Sequence, residues 1–279
     1  MLKISIIMPT YNQAGLIGKA IDSVMLQHFQ NWELIIVNNF STDNTVEVVN
    51  QYRDLRIKFY SLNNKGVIAK SRNFGITKSN GNFIAFLDSD DWWYPTKLEE
   101  VSKILVSSNV DVIYHNLKVI NSLTTRKTRI RELRKPLVND LLMNGNMIPN
   151  SSAVVRAQYF RNGLFISEDP KLVGCEDYSL WIELSLLGAN FKYLNKILGV
   201  YLFNENGISK NKLFIKNIYL LKRYKYLLSN EEWMRAINYV RYLKWKEEKK
   251  LNWYLFYWLI KNSNIFNKLK VFLIALYKK

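Results

Sequence analysis

Cysteine and histidine are nearly missing from this sequence: one Cys and two His in 279 residues. A lone cysteine, Cys175, excludes an internal disulfide framework and suits a reducing compartment. It lies beside two acids with nothing to activate it, so it reads as inert. His28 and His115 are too few and too scattered for a metal centre and read as structural. No apolar run approaches the ~20 residues needed to span a bilayer. The run from Ile4 to Met8 stops at Pro9 and is too short for a secretory leader. No segment recurs at a fixed period, which excludes a solenoid. Acid is also in deficit, with 23 Asp and Glu against 40 Lys and Arg, and the deficit is local. Residues 208–279 hold 17 basic and 4 acidic side chains, whereas the rest of the chain holds 23 and 19. A nearly neutral body with a basic, aromatic tail implies two parts in different surroundings.

What is present is an alternation of strand and helix patterns. Residues 3–9, 32–37, 56–62, 83–87 and 110–115 are apolar enough to be strands. Helical spacing is expected over 14–27, from about 43 to 52, over 67–78 and over 96–107. Ser41 and Thr42 are N-cap candidates, and Thr96 with Glu99 has capping-box spacing. This order predicts an α/β, Rossmann-like, mostly parallel sheet with helices on both faces. Residues 121–136 are basic, without periodicity, and read as a loop near the site. A short strand is expected over 150–155, a short helix over 157–162, and a helix from Glu176 closed by Gly188. Two closing strands are expected, over 191–194 and 197–203. The division is 1–207 for the body, with halves at about 1–115 and 116–207, and 208–279 for a helical tail.

The strand Phe83–Leu87 runs into Asp88-Ser89-Asp90-Asp91. A buried strand does not keep uncompensated charges, so the acids belong just past its carboxyl end, where open α/β sheets bind ligands. Carboxylates this crowded repel one another unless a cation or hydrogen-bond donors intervene. A hard divalent ion, Mg²⁺ or Mn²⁺, fits oxygen ligands and shares its shell readily with phosphates. The plainer alternative is an acidic loop capping the next helix. Pro9-Thr10-Tyr11, Asn38-Asn39 and Glu176-Asp177 stand at other expected strand ends or helix starts, and strand ends of a parallel sheet converge on one crevice. A metal on Asp90, helped by Asp88, with Lys70 and Arg72 nearby, could hold a diphosphate. Asn39 and the Thr10-Tyr11 turn could read a base and ribose. Each has a plainer alternative: a solvated charge for Arg72, packing for Tyr11, a turn former for Asn39. Trp92 and Trp93 either border a sugar pocket or pack.

Taken together, several stretches resemble the family 2 glycosyltransferases of GT-A fold. These are Pro9-Thr10-Tyr11-Asn12, Gln27 through Asn31-Trp32-Glu33-Leu34-Ile35-Ile36-Val37, Ser41-Thr42-Asp43-Asn44-Thr45 and Arg72-Asn73-Phe74-Gly75-Ile76. They continue with Ala85-Phe86-Leu87-Asp88-Ser89-Asp90-Asp91, Trp93 and Pro95, and with Glu176-Asp177 before Leu180-Trp181. The match covers residues 3–203 in order. The resemblance implies an inverting, non-processive transferase using a nucleotide-activated sugar and a divalent ion, Mn²⁺ or Mg²⁺. It implies Asp88-Ser89-Asp90 as the metal and diphosphate unit, with Asp90 the more direct ligand. Asp177 becomes the general base, with Glu176 in that role or Asp177 as a helix N-cap as alternatives. Pro9, Thr10 and Tyr11 fall at the nucleotide turn. Two positions depart from the pattern. Asn38-Asn39 replaces an acidic pair, so Asn39 would accept from uracil N3 through its neutral amide oxygen. Glu183 stands where a basic residue is common.

The expected donor is a nucleotide-diphosphate sugar, UDP-linked by preference, and the expected acceptor a lipid-linked saccharide. The tail, with its Lys, Arg, Trp and Tyr, is expected to meet an anionic membrane surface. That places the protein in the cytoplasm, peripheral at the inner face of the membrane. A helical bundle packed on the body is the alternative. Nucleic acid is not expected as a partner, because no recognition motif accompanies the basic composition. A non-catalytic sugar-nucleotide binder is the rival from another class.

Overall fold

A computed structural model describes residues 1–121, 125–128, 130–203 and 213–248. The first half is the expected alternation: β1 (Ile4–Thr10), α1 (Ile17–Met25), β2 (Trp32–Asn38), α2 (Thr45–Val49), β3 (Ile57–Ser61), α3 (Ile68–Thr77) and β4 (Phe83–Phe86). Then come β5 (Trp92–Trp93), α4 (Lys97–Ser107), β6 (Val112–Ile120), β7 (Thr125–Lys127), α5 (Leu137–Asn144), β8 (Val154–Arg156), α6 (Gln158–Arg161), α7 (Glu176–Leu186) and β9 (Phe191–Leu202). Helices α8 (Leu213–Arg223) and α9 (Asn230–Glu248) follow.

The strands form one sheet in the order β3-β2-β1-β4-β8-β6-β9-β5, with β7 paired to β6. β1 runs parallel to β2 and to β4, and β2 parallel to β3. Beyond β4 the sheet is mixed: β8 is antiparallel to β4 and β6, whereas β6 and β9 are parallel. The first strands carry almost unbroken apolar runs because both faces are covered. Ile6, Met8, Leu34 and Ile36 pack with α1 and α4 on one face. Ile7, Ile35, Val37 and Phe86 pack with α3, α5 and α7 on the other.

Four local expectations change. The closing strands are one strand, β9, whose register against β6 slips around Asn116 so that Asn195 and Lys196 bulge out. Part of the basic loop is a strand, β7, on the exposed flank of β6. Glu99 forms no capping box; it pairs with Lys103 at 2.7 Å and His28 at 3.3 Å. Ser41 and Thr42 do not cap α2, which starts only at Thr45. They brace a neighbouring turn instead.

The described part of the tail, residues 213–248, takes the alternative form, helices packed on the body. Leu220, Leu221, Tyr224, Ala236 and Val240 are buried in the same cluster as Ile7, Phe86 and Trp181. The Glu183 carboxylate accepts from the Tyr224 hydroxyl, which ties α7 to the segment after α8. Asp169 accepts from Tyr219 at 2.8 Å and Arg223 at 2.9 Å. Among the described residues Phe214, Tyr219, Tyr224 and Trp233 pack against the body while Tyr226 stays exposed, and many basic groups line the outer side of a packed helix pair. The apolar run 251–260 lies outside the described residues. No described helix is long and apolar enough to cross a membrane.

Candidate functional site

The site is built at the carboxyl edge of the parallel strands. Register places Thr10 beside Asn38, and Asn38 beside Ser61. The Leu87 amide bonds the Ile7 carbonyl at 3.1 Å, so the chain leaves β4 at that same edge and delivers Asp88 next to the end of β1. β1 lies between β2 and β4, with the crossover to β4 leaving on the opposite side from β2, which opens the crevice that such sheets use for ligands.

On the donor side two turns latch together. Thr42 donates its amide to Asn12 Oδ1 at 2.8 Å, and the Asn12 amide donates to Ser41 Oγ at 2.9 Å. Asp43 accepts the amides of Ala14 and Thr45 at 3.0 and 3.1 Å. Pro9 is buried within β1, and Thr10 is buried with its hydroxyl lacking a protein partner. Tyr11 is 52% exposed, leaving its ring free for a ligand. Asn38 is buried and serves its own turn, its oxygen accepting from Ser41 Oγ at 2.6 Å. The Asn39 oxygen already accepts the Asn64 backbone amide at 2.9 Å, which leaves one of its two lone pairs. Among the described residues its amide nitrogen, a donor, has no partner.

The acids gather around one guanidinium. Arg72, on α3, is 3% exposed. It donates to Asp88 at 2.8 Å and to Glu176 at 2.6 Å. It is neither a solvated charge nor an open phosphate contact, but a fork joining the strand-end acids to the start of α7. Asn150 adds a donor to Asp88 at 3.0 Å, and Ser151 Oγ accepts the Asp88 amide at 3.1 Å. Ser89 is buried. Burial and the charge of Asp88 push the Asp90 carboxyl up to about 6. Asp91 is pushed well above the usual carboxylate range by burial and then by Asp90 and Asp88, against the Ser151 hydroxyl and the Leu202 amide, the latter donating to it at 2.9 Å. Lys70 is half-buried on the same helix as Arg72.

Asp177 sits in the first turn of α7, where the helix dipole favours an anion. It accepts from Asn146 Nδ2 at 2.9 Å and from the Tyr178 amide at 2.7 Å. Burial, then the charge of Glu176, pushes its carboxyl up to about 7 despite Arg72 and these donors. The structure thus brings Asp88, Arg72, Glu176 and Asp177 into one connected set.

Among the described residues no three His, Cys, Asp or Glu side chains gather closely enough to hold a metal alone. The donor set still suits a hard cation. Asp90 and Asp91 are carboxylates held against their own charge, and such ions bind through one or two carboxylates plus substrate phosphates. His115 is fully buried and pushed down to about 3 by burial and by Lys97, and burial pushes the Cys175 thiol up to about 12. Both fit structural roles. Trp93 is buried, its indole donating to the Ser151 carbonyl at 2.7 Å, and Trp92 stacks under Lys19. Asn146 and Asn150 were not legible as site residues. The only signal was a polar Asn-Ser-Ser run before β8, which reads equally well as part of a strand.

Known proteins resemble this chain. The Escherichia coli protein UDP-Glc:alpha-D-GlcNAc-diphosphoundecaprenol beta-1,3-glucosyltransferase WfgD is 33% identical over 211 residues, covering 75% of this chain and 80% of its own. Staphylococcus aureus TarS, solved with UDP-GlcNAc, shares the fold with a TM-score of 0.68 at 21% identity, over 88% of this chain and 73% of that one. A Pyrobaculum calidifontis mannosyltransferase, solved with GDP-Man and Mn²⁺, superposes with a TM-score of 0.63 at 16% identity, over 99% of this chain and 80% of that one. The fold is thus GT-A. The model of the family described as Glycosyl transferase family 2 matches residues 5–163, and this chain belongs to that family.

Proposed function

We propose that the protein transfers one sugar, with inversion, from a nucleotide-diphosphate donor to a hydroxyl of a lipid-linked saccharide during assembly of a bacterial surface polysaccharide. UDP-sugars are the favoured donors. Support comes from the E. coli relative, whose name specifies UDP-Glc and a diphosphoundecaprenol acceptor, and from TarS, solved with UDP-GlcNAc. A lipid-linked acceptor would bring the enzyme to the inner face of the membrane.

The observation that carries this reading is the Arg72 fork, which holds the strand-end acids and the α7 acids in one crevice. Tyr11 would lie against the base and Thr10 near the nucleoside. Lys70 would sit near the diphosphate. Asp90, with Asp88, would hold Mg²⁺ or Mn²⁺. Such an ion, when bound, offsets charge on the leaving nucleoside diphosphate. Asp177 would take the proton of the attacking hydroxyl. A carboxyl poised at about 7 is suited to that task near neutral pH, and a base of this kind contributes ~10²–10⁴ in rate. Arg72 holds Glu176 in place beside it.

The test is UDP release and product mass with UDP-glucose, UDP-GlcNAc and GDP-mannose, GlcNAc-diphosphoundecaprenol and Mn²⁺. Asp90→Ala and Asp177→Asn should each lower transfer by roughly 10²–10⁴. The wild-type rate should rise with pH and level off above about 7, as Asp177 becomes ionised. Unchanged transfer in both variants would remove the proposal.

A further inference from the structure

The described tail reaches the proposed base through a short chain of contacts. Asn146 lies in the connection between α5 and β8. Its oxygen accepts the Ile148 amide at 3.0 Å, which fixes its orientation and leaves Nδ2 to donate to Asp177 at 2.9 Å. The preceding residue, Gly145, ends α5 with φ +79°, a left-handed conformation that glycine adopts without strain. The face of Gly145 where a β-carbon would stand is filled by the ring of Tyr239, from α9. A β-carbon there would fall on the ring edge, closer than real contacts allow. Leu141 and Leu142 of α5 share a buried cluster with Ala236 and Val240 of α9. The Tyr178 hydroxyl, one residue from the base, donates to the Leu141 carbonyl at 2.7 Å. Asn139 of α5 donates to Glu232 of α9 at 2.8 Å.

We propose that α9 is a positioning element for Asp177, acting through the Tyr239–Gly145 contact and the Asn146 amide. The tail is then part of the catalytic support rather than an appendage. Asn146 holds the carboxylate by donating to it, and Tyr239 holds the turn that aims Asn146. This rests on Asp177 as the base.

The other groups facing Asp177 stay in place in every variant below. Glu176 disfavours its charged form, Arg72 and the Tyr178 amide favour it, and Cys175 is neutral at working pH. Loss of the Asn146 donor disfavours the carboxylate, so Asp177 should titrate higher.

The decisive measurement needs no substrate. Carbon NMR of full-length protein labelled at aspartate carboxyls, with the Asp177 signal assigned by its loss in Asp177→Asn, follows the titration directly. In Asn146→Ala it should move up by roughly half to one pH unit. Tyr239→Ala should move it the same way by less. Tyr239→Phe, which keeps the ring against Gly145 and removes only the hydroxyl at its edge, should move it less than Tyr239→Ala does. UDP binding by calorimetry reports that each variant is folded; Tyr239→Leu replaces Tyr239→Ala, and Asn146→Leu replaces Asn146→Ala, where the alanine variant is not. Where transfer is measured, Asn146→Ala should lower kcat by roughly tenfold or more with donor KM within about twofold. An Asp177 titration unmoved in the Tyr239 variant would overturn the positioning role of α9, whatever Asn146→Ala does. If Asp177→Asn itself transfers like wild type, the base assignment falls instead, and the two failures are distinct.

Discussion

The strand-end half of the site and the α7 half are made in opposite ways. Between β1 and β4, polar residues stand at fixed register positions at the edge of a parallel sheet, and the backbone alone brings Thr10, Asn38 and Asp88 together. Around α7, nothing in the backbone order brings the pieces together. Asp177 is held by Asn146, Glu176 by Arg72 from α3, and the far side of α7 by Tyr224 of the tail. A sheet edge collects its residues by periodicity, whereas a helix start takes them from whatever packs against it. The second kind of site is more dependent on distant contacts, and its weak points lie far from the chemistry.

Removing the fork should have the largest effect. Arg72→Met leaves Asp88 and Glu176 without their shared cation in a buried setting, which should cost roughly 3–5 kcal/mol in denaturant unfolding. Arg72→Lys should recover only part, since an ammonium does not fork as a guanidinium does. Wild-type stability in Arg72→Met would mean that the two halves are independent. Next, Leu220→Ala should cost roughly 2–5 kcal/mol, because this fully buried tail residue belongs to the body's core. Thermal unfolding should move as one transition; a new early transition with the main one unshifted would restore a separable tail. The smallest effect tests the strand-end half alone. Asn39→Asp keeps the bond to Asn64 and turns the free donor into a charged acceptor, so UDP should bind about tenfold tighter in calorimetry. Equal or weaker binding would show that position 39 does not face the base.

The same contrast explains what could be read without coordinates. Pro9, Thr10, Asp88 and Asp90 were legible because apolar runs end at them. Arg72 was legible as a site residue but not in its role, since a helix position does not say which carboxylates will surround it. Asn39 was placed correctly at the end of β2, yet the partner of its oxygen comes from the turn after β3. Glu183, out of pattern for the family, is explained only by Tyr224, 41 residues on. The packing of the tail on the body was not legible, because basic, aromatic, amphipathic helices look alike whether their apolar side meets lipid or protein.

By itself the sequence determined the strand–helix alternation, the parallel start of the sheet and the edge at which the acids emerge. These follow from local periodicity and from the cost of burying charge. Only the tertiary structure decided that one guanidinium joins Asp88 to Glu176, that Asn146 supports Asp177, and that the tail helices complete the core. Those contacts join segments far apart in the chain, and their energies depend on distance and desolvation, which no run of neighbouring residues encodes.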